Sequence, residues 1–126
     1  MLTIPGHHSN IVPWQILAAE KGARIEWVDI DENGRLRQDQ FAALLEQSPK
    51  LVGFGQVSNA MGTSNPVAAM TAAATATGAN SLIDRAQGAP HPGSDVQAVG
   101  GDFNSFSPPN SRAPPGTGSL TRRAAR

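Results

Sequence analysis

The chain contains no cysteine. That excludes disulfides, thiolate metal sites and any thiol nucleophile. It also lacks an excess of either charge: Lys plus Arg and Asp plus Glu are both 10, and the formal net charge is zero. No global field calls for nucleic acid or a membrane surface. No apolar run is long enough to span a bilayer. The start, Met1-Leu2-Thr3-Ile4-Pro5-Gly6, has neither the basic region nor the apolar stretch of a signal peptide, so cytoplasm is the expected location. No Gly-x-Gly-x-x-Gly follows a strand and no Gly-Lys-Ser/Thr loop is present, which ranks a generic nucleotide-binding domain last.

What is present fits one domain with a modest core, over 126 residues. Ser9 or Asn10 can cap a helix over about 11–21, with Pro13 in its first turn and Gly22 as a stop. Ile11, Trp14, Leu17 and Ala18 share one face of it. Residues 24–30 read as a strand and Asp31-Glu32-Asn33-Gly34 as a turn. A second helix over about 38–47 turns Phe41, Leu44 and Leu45 inward, and 50–57 is an apolar strand. Asn65 caps a third helix with Pro66 at its first position, and Gly78 closes it. Strands follow at 81–84 and 102–106, with a short helical turn between them at 94–99. Strands alternating with helices imply an α/β layer with a mostly parallel sheet.

After Ser107 the pattern fails. Pro, Gly, Ser and Arg dominate residues 108–126, Leu120 is the only large aliphatic side chain, and Arg112, Arg122, Arg123 and Arg126 have no acid among them. Such a composition buries too little surface to offset its ordering entropy, so a disordered tail is expected. Nothing aromatic interleaves the charges, which argues against nucleic-acid binding.

The chemistry centres on Ser81-Leu82-Ile83-Asp84-Arg85-Ala86-Gln87. An apolar run ending in a carboxylate is a buried parallel strand whose carboxyl end faces the ligand crevice. An Asp there can hold a positively charged ring nitrogen, and a nearby Gln can donate to an oxygen on the same ring. That is the chemistry of a pyridoxal phosphate site. The plainer alternative is a strand-end Asp that caps the next turn, and these seven residues alone favour it.

The neighbours change the balance. His7-His8-Ser9-Asn10-Ile11-Val12-Pro13-Trp14-Gln15, Val57-Ser58-Asn59 with Gly62-Thr63 and Asn65-Pro66, Asp84 with Ala86-Gln87, Asp95-Val96-Gln97-Ala98, Asp102-Phe103 and Phe106-Ser107 occur in that order. Together, from about His7 to Ser107, they resemble the Suf-type cysteine desulfurases and selenocysteine lyases of the class V aminotransferase family. The resemblance implies a partial fold-type I pyridoxal phosphate transferase large domain. It implies that His7 stacks on the cofactor ring and that Asn59 lies near the cofactor and the substrate carboxylate. Asp84 is then the partner of the pyridinium nitrogen, Gln87 donates to the phenolic oxygen, and Ser107 helps hold the phosphate. Two adjacent histidines also suggest a metal, but sequence places no third ligand and no metal is expected.

The chain departs from the family at several points. The family's Ser-Gly-His-Lys, whose Lys forms a Schiff base with the cofactor, reads Ser107-Pro108-Pro109-Asn110 here. Asn110 has no amine to do this, and Pro109 cannot give the phosphate a hydrogen bond. The family's His before Val-Ser-Asn is Gln56, and its Gly after the strand-end Asp is Arg85, expected as a bulky cation near the crevice. The family's upstream phosphate loop and its C-terminal domain, with the nucleophilic Cys and a carboxylate-binding Arg, have no counterpart, so the chain reads as an internal slice. Ala113-Pro114-Pro115-Gly116-Thr117-Gly118 aligns with the family's Gly-Pro-Thr-Gly-x-Gly, and the expectation is that a frame shift near Ser107 lies behind the altered tail.

The family reaction takes sulfur from L-cysteine, or selenium from L-selenocysteine, for purposes such as iron–sulfur assembly. By resemblance the chain is a fragment of such an enzyme, inactive for want of the Lys and the Cys. The alternative is a catalytically silent interaction domain that forms a homodimer or pairs with a full-length relative. A degenerate product with open apolar sheet edges is the third reading.

Overall fold

A computed structural model describes residues 1–58, 60–87, 100–106 and 118–123. Six strands form one sheet in the order β2-β1-β3-β4-β5-β6. They are β1 (Leu2–Thr3), β2 (Trp27–Val28), β3 (Leu51–Gly55), β4 (Asn80–Asp84), β5 (Phe103–Phe106) and β6 (Ser119–Arg122). All neighbours are parallel except β5 and β6, which pair antiparallel from Phe103↔Arg122 to Phe106↔Ser119. The α/β class and mostly parallel sheet expected from the alternation of elements are therefore present.

Among the described residues, three helices flank the sheet: α1 (Val12–Lys21), α2 (Gln38–Leu45) and α3 (Val67–Ala76). Successive strand residues face opposite sides, and the two sides of β3 are built differently. Val52 and Phe54 are fully buried, and with Ile83 of β4 they join Phe41 and Leu45 of α2 and Val67, Met70 and Ala74 of α3 in the core. Gly53 faces the other way. A Cβ there would lie 2.8 Å from Leu2 Cδ2 and 3.9 Å from Trp14 Nε1, so the missing side chain lets the start of α1 approach the sheet.

Local signals account for most element ends. Gly22 closes α1 with a left-handed backbone (φ 64°), and its N–H donates to the Ala18 carbonyl. Arg37 precedes α2 and bonds Asp39 in its first turn at 2.7 Å, which holds the Asp39 carboxyl below its usual range. Two caps differ from expectation. Neither Ser9 nor Asn10 caps α1; they lie in a 3-10 turn, His8–Asn10, whose own cap is the His7 side chain. Asn65 does not cap α3, because its Nδ2 donates to the Gly55 carbonyl at 2.8 Å and ties the helix start to the end of β3.

Three further differences stand out. Residues 2–3, which carried no strand signal, form β1 between β2 and β3. Helix α1 has no fully buried residue, and Leu17, expected inward, is 43% exposed. Residues 119–122, inside the segment expected to be disordered, form β6, because backbone pairing with β5 needs no apolar side chains. Residues 108–117 and 124–126 of that tail, and the helical turn expected at 94–99, lie outside the described residues. No helix of the described residues is long and apolar enough to cross a membrane.

Candidate active site

The carboxyl ends of β4 and β5 carry Asp84, Ala86, Ser105 and Phe106, and these line one wall of a cavity of about 290 Å³. The opposing wall comes from the segment entering α1: Ser9, Asn10, Pro13 and Trp14. Asn10 is buried, and its Oδ1 accepts from Trp14 Nε1 at 3.2 Å. That bond orients the indole across the first turn of the helix. Asp84 and Leu82 face the cavity together because they sit two residues apart on the same strand.

Asp84 is held on three counts. Its carbonyl accepts from the Gln56 N–H at 2.8 Å, its Oδ1 accepts from the Ala86 N–H at 3.0 Å, and its strand partner on β5 is Ser105. The turn-capping reading of Asp84 is thus realised, and the carboxylate also lines the cavity. Lower on the same strands, Asp102 Oδ2 accepts from both the N–H and the Oγ of Ser81, at 2.8 and 2.9 Å. This clip ties the start of β4 to the residue before β5 and so fixes their relative height at the site.

The other expected residues are placed less centrally. His7 is exposed, and its Nδ1 lies 2.8 Å from Ser9 Oγ and accepts from the Ser9 N–H at 3.3 Å. It stands beside the cavity through Ser9 and is not part of its wall. Gln87 is exposed in the turn after β4 and does not line the cavity either. Asn59, Ser107 and Asn110 lie outside the described residues. Arg85, expected near the crevice, is instead fully buried: Nε donates to Gln56 Oε1 at 2.9 Å, and the guanidinium lies 5.6 Å from the centre of the Phe106 ring. A cation with a rigid, planar donor set packs inside where an amide and an aromatic face receive it.

Ser9, Asn10, Trp14 and Ser105 line the site although no residue-level signal singled them out. The first three lie within the His7–Gln15 run, so their grouping was legible as a motif but not as a wall. Ser105 becomes a site residue as the β5 partner of Asp84. A larger cavity of about 540 Å³ opens at the opposite ends of the strands, among Met1, Leu2, Trp14, Leu17 and Leu51. It is mainly apolar and, apart from Trp14, which lines both cavities, contains none of the site residues named above.

The chain matches the family model for aminotransferase class-V over residues 1–125. It is 42% identical over 123 residues to a probable cysteine desulfurase of Streptomyces coelicolor, covering 98% of this chain and 29% of that protein. It is 45% identical over 114 residues to a cysteine desulfurase of Synechococcus elongatus, covering 90% of this chain and 18% of that protein. Among solved structures, an apo cysteine desulfurase from Thermococcus onnurineus superposes with a TM-score of 0.89 at 34% identity, covering 98% of this chain and 31% of the other. A cysteine desulfurase from Escherichia coli gives 0.84 at 28% identity, with 97% and 31% covered. The chain thus spans about a third or less of the length of these relatives, and its sheet is part of the fold-type I architecture of pyridoxal phosphate enzymes. By sequence and by fold, it belongs to the class V aminotransferase family.

Proposed function

We propose that this chain carries the ring-binding portion of a Suf-type cysteine desulfurase site and does not itself turn over cysteine. The observation that carries this is the position of Asp84, a carboxylate at the carboxyl end of a parallel strand, on a cavity walled by Trp14 and Pro13. The described residues fit one end of pyridoxal phosphate. The cavity is about the size of a substituted pyridine with its first substituents, and the carboxylate suits a protonated ring nitrogen. Trp14 and Pro13 offer apolar surface to a flat ring, and the Ser9 and Ser105 hydroxyls are available to its polar substituents. His7 and Gln87 border this site, and Asn59 and Ser107 complete the proposed set.

When bound, pyridoxal phosphate supplies an electron-accepting ring to an amino-acid substrate. Asp84 would hold the proton at the ring nitrogen, and Ala86 would hold Asp84. The chain has no cysteine to accept sulfur, and the residue aligned with the family's Schiff-base Lys is Asn110. Both features support binding without turnover. The substrate class, L-cysteine or L-selenocysteine, comes from the family and from the names of the relatives.

The test is a visible absorption titration of the pure chain with pyridoxal phosphate, followed by borohydride reduction and intact mass. A saturable shift without a reducible adduct, moved to higher pyridoxal phosphate concentration in Asp84→Asn, is expected. No saturable shift overturns the binding reading. A stoichiometric adduct at Lys21 or Lys50 overturns the account of the missing lysine, and sulfide or alanine formed from cysteine overturns the account of inactivity.

A second reading, an interaction domain that pairs with a full-length relative, is favoured by α1. Val12, Ile16 and Leu17 of this helix are 43, 56 and 43% exposed, a continuous apolar strip on a helix with no fully buried residue. Co-purification with a full-length class V relative, abolished by Ile16→Glu, supports this reading, and its absence removes it.

A further inference from the structure

Gln56 and Arg85 have no part in the function proposed above, yet both are bonded to the strand end that presents Asp84. The Gln56 N–H donates to the Asp84 carbonyl at 2.8 Å, while its side-chain Oε1 accepts from Arg85 Nε at 2.9 Å. One residue at the end of β3 therefore grips two consecutive residues of the neighbouring chain segment, one through its backbone and one through its side chain. From the other side, the Arg85 N–H donates to the Ser105 carbonyl at 2.9 Å, and the guanidinium lies against Phe106.

Arginine keeps its charge at any ordinary pH, so a fully buried guanidinium stays only where acceptors and ring faces replace its water. Gln56 Oε1 is one of the groups that receive it, and loss of this acceptor weakens the hold on the side chain. Its Cα is bonded through one peptide unit to Asp84, so the carboxylate cannot keep its place while residue 85 rotates.

We propose that Gln56 and Arg85 form one coupled unit that positions Asp84, each of the two residues being tolerated because of the other. Both are positioning residues, since neither lines the cavity. The importance of Asp84 rests on the function proposed above, but its placement is measurable with no cofactor present. The Ala86 N–H is bonded to the Asp84 carboxylate, so protection of that amide from hydrogen exchange reports whether the carboxylate is in place.

The experiment is residue-resolved hydrogen exchange on the full chain and on Q56N and Q56E. Q56N shortens the side chain by one carbon and breaks the contact; Q56E keeps the length and the acceptor. Expected is a rise of roughly tenfold in exchange at Arg85 and Ala86 in Q56N, with Val52 and Phe54 changed by less than about twofold, and recovery in Q56E. The double variant Q56N/R85G is expected to lose less thermal stability than the two single variants together. Unchanged exchange at Ala86 overturns the proposal, as do a uniform rise across the sheet, no recovery in Q56E, or strictly additive stability losses. Should Q56N fail to fold, R85K, which keeps the charge and loses the Nε donor, is read by the same amides with the same expectations. Because no cofactor is used, these outcomes are independent of whether pyridoxal phosphate binds.

Discussion

Asp84 combines two roles that sequence reading sets against each other: Oδ1 caps the turn through Ala86, and the carboxylate lines the cavity. Asparagine keeps an oxygen for the Ala86 N–H and removes only the charge. Asp84→Asn is therefore expected to leave thermal stability almost unchanged. It should weaken pyridoxal phosphate binding roughly tenfold or more, because a hydrogen bond to a charged group contributes about 1.5–3 kcal/mol; a spectral titration against wild type measures this. At Asp102, substitution by Ala leaves the fully buried Ser81 N–H and Oγ without their carboxylate. A loss of about 1–3 kcal/mol is expected in chemical denaturation. The Met1 ammonium donates to the Leu51 carbonyl at 2.9 Å, and burial pushes its pKa below the usual 8.0 despite an opposing pull from Glu26. The unfolded chain then binds this proton more readily than the folded one. Stability from this group is full above about pH 8 and is lost as pH falls toward the folded value. Denaturation midpoints between about pH 6 and about pH 9 should follow that slope, and N-terminal acetylation should remove it.

At the level of elements, the central β3–β4 pair supports the rest. Ile83 is fully buried among Phe54, Met70 and Ala74 in the core, so Ile83→Ala is expected to cost about 2–5 kcal/mol. Gly53→Ala puts a methyl 2.8 Å from Leu2 Cδ2, the movable end of a side chain. The expected cost is about 1–3 kcal/mol, with the start of α1 displaced; thermal denaturation checks the size and indole fluorescence of Trp14 the displacement. Legibility followed the strength of the local signal. Helices α2 and α3 and strands β3, β4 and β5 were readable because apolar period and turn residues agree in them. Strand β1 was not: two residues joined to β2 and β3 by backbone bonds leave no periodicity to read. Strand β6 was hidden for the opposite reason, since its four residues are exposed and its pairing is a property of β5. The site was legible as far as Asp84, through its place at a strand end. The inward turn of Arg85 was not, because it depends on Gln56, 29 residues earlier in the chain.

For the whole molecule, the family likeness runs to residue 125, beyond the window from His7 to Ser107 in which the motifs are dense. Strand β6 gives part of that extension a place in the sheet. The frame shift near Ser107 is a proposal about the gene, and coding DNA whose alternative frame lacks Ser-Gly-His-Lys at this point overturns it. The order of the sheet also bears on how the chain reaches this state. Strand β1 is an interior one, flanked by β2 and β3, and Leu2 pairs with Gly53 across the whole intervening chain. Closing such long loops precedes the contacts that reward it, so refolding is expected on the order of milliseconds to seconds rather than microseconds. Any species in which β3 has not docked leaves β1 with one side unpaired, and its backbone should then be readily cleaved.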